Sequence, residues 1–86
     1  MNLPLRNYPP SSGTRVLADR MRRFVQTLLE RSDMDAAHAA HLAGILVTND
    51  LRCVYSHGTR QVANYVGFLR EGTINPRPHM RVVPAA

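Results

Sequence analysis

The sequence predicts a mainly α fold: a three-helix segment followed by a short C-terminal strand, together forming part of a larger structure. Two observations predict the helices. Apolar residues recur at steps of three and four, and glycines and prolines punctuate the chain where each run stops. A third observation concerns the end of the sequence, where Met80 to Val83 have the character of a strand. A lone strand has little stability without a partner. The expected division is a disordered lead-in (1–13), a three-helix segment (14–72) and an extended tail (73–86) that begins a sheet missing from this chain.

The lead-in carries Pro4, Pro9, Pro10 and Gly13, which break any regular structure. Thr14 can then cap a first helix running to about Arg31. Leu17, Met21, Phe24 and Leu28 make its stripe, widened by Val25 and Leu29, while Asp19, Arg22, Arg23, Gln26 and Glu30 face away. Ser32 or Asp33 can cap a second helix from Met34 to about Leu51, with Asp33 and Asp35 suited to its positive end. Its alanine-rich first half allows a neighbour to approach closely, and Leu42, Ile45, Leu46 and Val47 make its second half bulkier. Gly44 weakens a helix by about 1 kcal/mol relative to alanine, which implies tight packing there. A third helix begins near Gly58 or Thr59, carries the stripe Val62, Tyr65, Val66, Leu69, and ends before Gly72. Asn75-Pro76 and Pro78 then force extended chain.

With 86 residues, the chain buries only roughly 60–65% of the surface that its unfolded form exposes. Five aromatics and no tryptophan leave the core to aliphatic side chains. Eleven arginines against six acids give a net charge of +5, a balance that permits nucleic acid or another acidic partner. The arginines are scattered, however, and no aromatic residues interleave with them as a stacking platform needs. They read as solvated helix faces, and the residues disfavour nucleic acid. Cys53 is the single cysteine, so no intrachain disulfide forms and a reducing compartment is expected. No apolar run is long enough to span a membrane, and the proline-broken N-terminus lacks the apolar core of a secretory signal. The expected location is the cytoplasm.

The chemistry-bearing stretch is "NDLRCVYSHGTRQVANY", Asn49 to Tyr65. Ser56, His57 and Gly58 stand side by side between two helical runs. His57 is expected just before a helix N-terminus, on a turn that glycine makes sterically easy. Amide hydrogens at such an end favour a carboxylate or phosphate and disfavour imidazolium. A neutral imidazole beside an anion site can take a proton from a substrate hydroxyl or return one to a carbonyl. By itself the tripeptide reads more readily as an N-cap serine beside an exposed histidine.

The wider string carries more. Ala37, Ala40 and Leu42, then Asp50-Leu51-Arg52, Ser56-His57-Gly58, Tyr65, Leu69, Gly72, Ile74-Asn75-Pro76 and Val82-Val83 follow in order. This pattern resembles the opening of the malate/L-lactate dehydrogenase family of NAD(P)H-dependent oxidoreductases, over about residues 16 to 84. The resemblance implies an N-terminal fragment of a larger α/β, mixed-sheet, non-Rossmann oxidoreductase. Its reaction would be hydride transfer between NAD or NADP and a small 2-keto or 2-hydroxy acid. It further implies that His57 is the catalytic proton donor or acceptor, that Ser56 lies at the cofactor, and that full-length proteins are homo-oligomers. Relatives often place glycine after D-L-R, where this chain has Cys53. They often place an arginine three residues after the motif glycine to bind the substrate carboxylate, where this chain has Gln61 with Arg60 one step earlier. Arg60 and Gln61 are thus the substrate-binding candidates. Adjacent helix positions point about 100° apart, so one cannot simply replace the other.

The remaining polar residues invite structural readings. His38 and His41 share a helix face but lack two further ligands at recognised spacing, so no metal site is expected. Cys53 reads as a small buried apolar residue, and Arg52 as pairing with Asp50. No Gly-rich phosphate turn is present, so the cofactor falls mainly to a missing downstream region and the isolated chain is expected to be inactive. The alternative reading is a stand-alone basic three-helix module binding DNA or a protein partner; steep salt dependence of DNA retention would mark it. Three stripes cannot all close on one another in so short a chain, so uncovered apolar surface and association are expected.

Overall fold

Each of the three helices ends on a residue held in the left-handed region, and these stops set the path of the chain. The computed structural model describes residues 11–85; most of the expected disordered lead-in, residues 1–10, lies outside them. Helix α1 spans Ala18–Arg31, α2 spans Ala36–Leu51 and α3 spans Val62–Glu71. Behind α1, Asp33 stands at φ 75°, its amide bonded to Glu30 O at 3.0 Å and that of Met34 to Leu29 O at 3.0 Å. Behind α2, Cys53 stands at φ 61°, its amide bonded to Asp50 O at 3.0 Å and that of Val54 to Asn49 O at 2.8 Å. Behind α3, Gly72 stands at φ 81°, its amide bonded to Leu69 O at 3.3 Å and that of Thr73 to Phe68 O at 2.9 Å. These are Schellman motifs, which satisfy carbonyls that a helix end leaves open.

Only Gly72 adopts this conformation without a Cβ in the way; the left-handed region costs other L-residues roughly 1–2 kcal/mol. Cys53 is the most strained of the three stops, because a short carboxylate such as Asp33 tolerates the region better. A glycine at position 53 would be free of that backbone cost. Cys53→Gly is expected to stabilise the chain by about 1 kcal/mol. A higher urea midpoint at unchanged slope would show it; a lower one would mean that the Cys53 side chain contributes more than the relieved backbone.

The helix starts differ from those expected. Helix α1 begins at Ala18 rather than after Thr14, and Leu17 at its N-cap makes no side-chain bond. Residues 14–17 are exposed, and an isolated turn needs burial to persist. Helix α2 is capped by neither Ser32 nor Asp33, since both belong to the stop of α1: Ser32 Oγ donates to Leu28 O at 3.0 Å. Asp35 caps it instead, accepting the Ala37 amide at 3.1 Å. That amide, with His38 beside it, holds the Asp35 carboxyl below the usual carboxylate range. Because the folded chain lowers this group's affinity for protons, its contribution is complete above the unfolded value near 3.8 and fades as pH falls through the folded one. In melts from about pH 6 down to about pH 2, Asp35→Asn should lose less stability than wild type across the acid limb. Parallel curves would remove the cap from the acid response.

The core joins Val25 and Leu29 of α1, Ala39, Ala43 and Leu46 of α2, and Val62 and Leu69 of α3. Met21, Leu28, Leu42, Tyr65, Val66 and Ile74 pack against it half-buried. The small Ala39 and Ala43 let α2 lie close along α1, as the alanine-rich run predicts. The phase of α1 is rotated from expectation. Its buried edge runs through Met21, Val25, Leu28 and Leu29, while Leu17 and Phe24 are 69% and 60% exposed. Gly44 is not at a tight contact either, since an added Cβ would meet nothing within 4 Å. The α3 stripe stands as expected.

The expected C-terminal strand is not formed: among the described residues no strand occurs, and Met80 and Val82 are 85% and 97% exposed. An extended segment becomes a strand only when a neighbour takes its backbone bonds. The chain before it is anchored. Ile74 packs on the core, the Asp35 amide reaches Pro76 O at 3.4 Å, and Arg77 Nε meets Asp33 Oδ1 at 3.4 Å. The I-N-P motif thus ties the chain after α3 to the corner between α1 and α2.

Candidate active site

Two single turns of 3-10 helix, Tyr55–His57 and Thr59–Gln61, link α2 to α3 and meet at Gly58. The end of α2 holds this link in place. Asn49 Nδ2 donates to His57 O at 2.9 Å. The Asp50 carboxylate accepts the Thr59 amide at 3.2 Å and also the Thr59 hydroxyl. Gly58 is buried beneath them in extended backbone, φ −104° and ψ −154°, which any residue can adopt. Its need for glycine is therefore not the easy turn that the sequence suggested. A Cβ at Gly58 would stand 1.7 Å from Asp50 Oδ1, so the missing side chain makes room for the carboxylate.

This arrangement moves the anion expected beside His57. The amide end facing the link is met by Asp50, an acid of the chain itself, and it begins at Thr59. Helix α3 proper starts only at Val62, and His57 closes the first 3-10 turn rather than preceding a helix. His57 therefore does not stand at the entrance of α3, contrary to expectation.

Ser56 and His57 are both exposed. Ser56 Oγ lies 2.9 Å from His57 Nδ1, which leaves Nε2 as the ring nitrogen able to meet a ligand. Gln61 reinforces the serine, its Nε2 donating to Ser56 O at 2.8 Å while its Oε1 accepts from Asn64 at 3.0 Å. The link thus brings Ser56, His57 and Gln61 together, with both ends of the Gln61 amide engaged inside the protein. Arg60 goes elsewhere. It lines a groove of about 420 Å³ that also borders Arg15, Asp50 and Tyr55 but neither Ser56 nor His57.

The secondary candidates find structural places. Asp50 engages Thr59, not Arg52, and Arg52 is exposed. Cys53 is half-buried, and Tyr55 donates to its sulfur at 3.4 Å. That bond, with burial behind it, pushes the Tyr55 hydroxyl above its ordinary pKa. His38 pairs with Asp35 across one helical turn. Among the described residues, no three His, Cys, Asp or Glu side chains gather as metal ligands do.

Sequence reasoning missed Asn49 and Asp50 as the clamp on this link. The available signal was a polar pair closing an apolar helix nine residues before a Gly-Thr step.

Comparison with known proteins bears on this same stretch. The family described as malate/L-lactate dehydrogenase matches residues 16–86. A malate dehydrogenase of Pyrococcus horikoshii is 32% identical over 78 residues, covering 91% of this chain and 22% of the longer protein. The chain therefore spans less than a quarter of the length of that relative. No solved structure matches it significantly.

Proposed function

The chain belongs to the malate/L-lactate dehydrogenase family, and on that premise we propose that it is the helical N-terminal part of an oxidoreductase acting on a 2-keto or 2-hydroxy acid, with His57 as its proton donor or acceptor. The supporting observation is the exposed His57 ring, with Ser56 Oγ on Nδ1 and the backbone behind it clamped by Asn49 and Asp50. Held so, Nε2 can give a proton to a substrate carbonyl oxygen or take one from the corresponding hydroxyl. Ser56 is assigned to the cofactor side, next to the same ring. Gln61 positions Ser56 through its backbone and is not assigned to substrate. No helix among the described residues is long and apolar enough to cross a membrane.

A nicotinamide cofactor would supply or accept the hydride. The Ala37 amide at the start of α2 and the Thr59 amide of the link already bond to Asp35 and Asp50, so neither is open to a phosphate. Cofactor binding is assigned mainly to the rest of the family fold. The 86-residue chain alone is accordingly expected to show no turnover of pyruvate or oxaloacetate with NADH or NADPH.

A chimera tests the role of His57. Residues 16–84 would replace the matching segment of the Pyrococcus horikoshii protein, and activity would be compared with and without His57→Ala. Positioned acid–base catalysis is worth roughly 10²–10⁴-fold, so kcat should fall by about that much, with KM moving less. An active chimera indifferent to His57→Ala would overturn the assignment.

A further inference from the structure

The groove beside the histidine link is not used by the chemistry proposed above, and two arginines border it. We propose that this groove, lined by Arg15 and Arg60 over an apolar floor, is a binding site for a small carboxylate carried on an apolar body.

Its volume, about 420 Å³, lies within the range of roughly 300–1,000 Å³ typical of small-molecule sites. The floor is apolar: Val47 is 2% exposed, and Met21 is half-buried against the core. The rim is cationic. Arg15 and Arg60 lie on segments far apart in sequence, the approach to α1 and the turn before α3, and both reach the same groove. The arginine ion pairs among the described residues use Arg22 and Arg77, not Arg15 or Arg60. Asp50 also lines the groove, but its oxygens accept from Thr59. Two cations against one engaged carboxylate leave the rim net positive, and a guanidinium presents a planar fork matched to a carboxylate.

An apolar floor bordered by two arginines suits a monocarboxylate with an aliphatic stem better than a bare inorganic anion. The site is separate from His57, so the inference does not rest on the assignment of that ring.

The experiment is a titration of the isotopically labelled 86-residue chain with hexanoate, followed residue by residue by NMR. Shifts should cluster at Arg15, Met21, Tyr55 and Arg60. Arg15→Gln and Arg60→Gln should each weaken binding by about tenfold. Hexanol and inorganic phosphate should each bind at least about tenfold more weakly than hexanoate, since each lacks half of what the groove recognises. His57→Ala should leave hexanoate affinity within about twofold, which separates this site from the proposed catalytic ring. Equal affinity for phosphate, dispersed shifts, or binding indifferent to both arginine variants would overturn the proposal. So would loss of binding in His57→Ala.

Discussion

Leu29→Ala is expected to destabilise the chain by about 2–5 kcal/mol, as deletion of a fully buried leucine side chain does. Leu29 is 0% exposed and lies among Val25, Ala39, Ala43 and Leu46. A domain of this size has roughly 4–13 kcal/mol of stability in all, so the variant should melt more than about 10 °C lower or not fold. Phe24→Ala supplies the comparison. Phe24 is 60% exposed, and its loss should cost less than about 1 kcal/mol. Urea or thermal denaturation of the two variants reads the rotation of α1 directly. A larger loss for Phe24→Ala would mean that α1 turns its other edge to the core.

Gly58→Ala is the second large effect, and it acts through Asp50. The new methyl would stand 1.7 Å from Asp50 Oδ1, so the carboxylate must rotate away from the Thr59 amide and hydroxyl. Hydrogen bonds to a charged group are worth roughly 1.5–3 kcal/mol, and the expected loss is about 2–3 kcal/mol. The Thr59 amide should also exchange with solvent faster, because its acceptor has gone. A double-mutant cycle isolates the cause. In an Asp50→Ala background the methyl has room, so adding Gly58→Ala should cost little more. Fully additive losses would show that the glycine answers to something other than Asp50.

These two positions also show how far the sequence could be read. The stripe of α3 was legible because Val62, Tyr65, Val66 and Leu69 allow only one phase. That of α1 was not, because Phe24 and Val25 are both apolar and adjacent, and only the alanine face of α2 decides which turns inward. The cap of α2 was similarly ambiguous, with Ser32, Asp33 and Asp35 all able to serve. The choice fell to Asp35 once Asp33 was taken up in the left-handed stop of α1. Gly58 was recognisable as special, but its reason was a contact to a side chain earlier in the chain, which local turn chemistry does not contain. Cys53 shows the same limit, for nothing in a cysteine announces a positive φ. For the candidate site, Ser56 and His57 were found as a pair from sequence. The divergence of Arg60 and Gln61 followed only from the fold, which bends the chain through two tight turns there.

The docking of Pro76 and Arg77 at the α1–α2 corner sets a travel distance for everything that comes after them. Helix α2 separates that corner from the histidine link, and its 16 residues measure about 24 Å along the axis. The backbone beyond Arg77 therefore sets out a full helix length from the imidazole. Any later part of a polypeptide that meets the ring has to double back beside the bundle first.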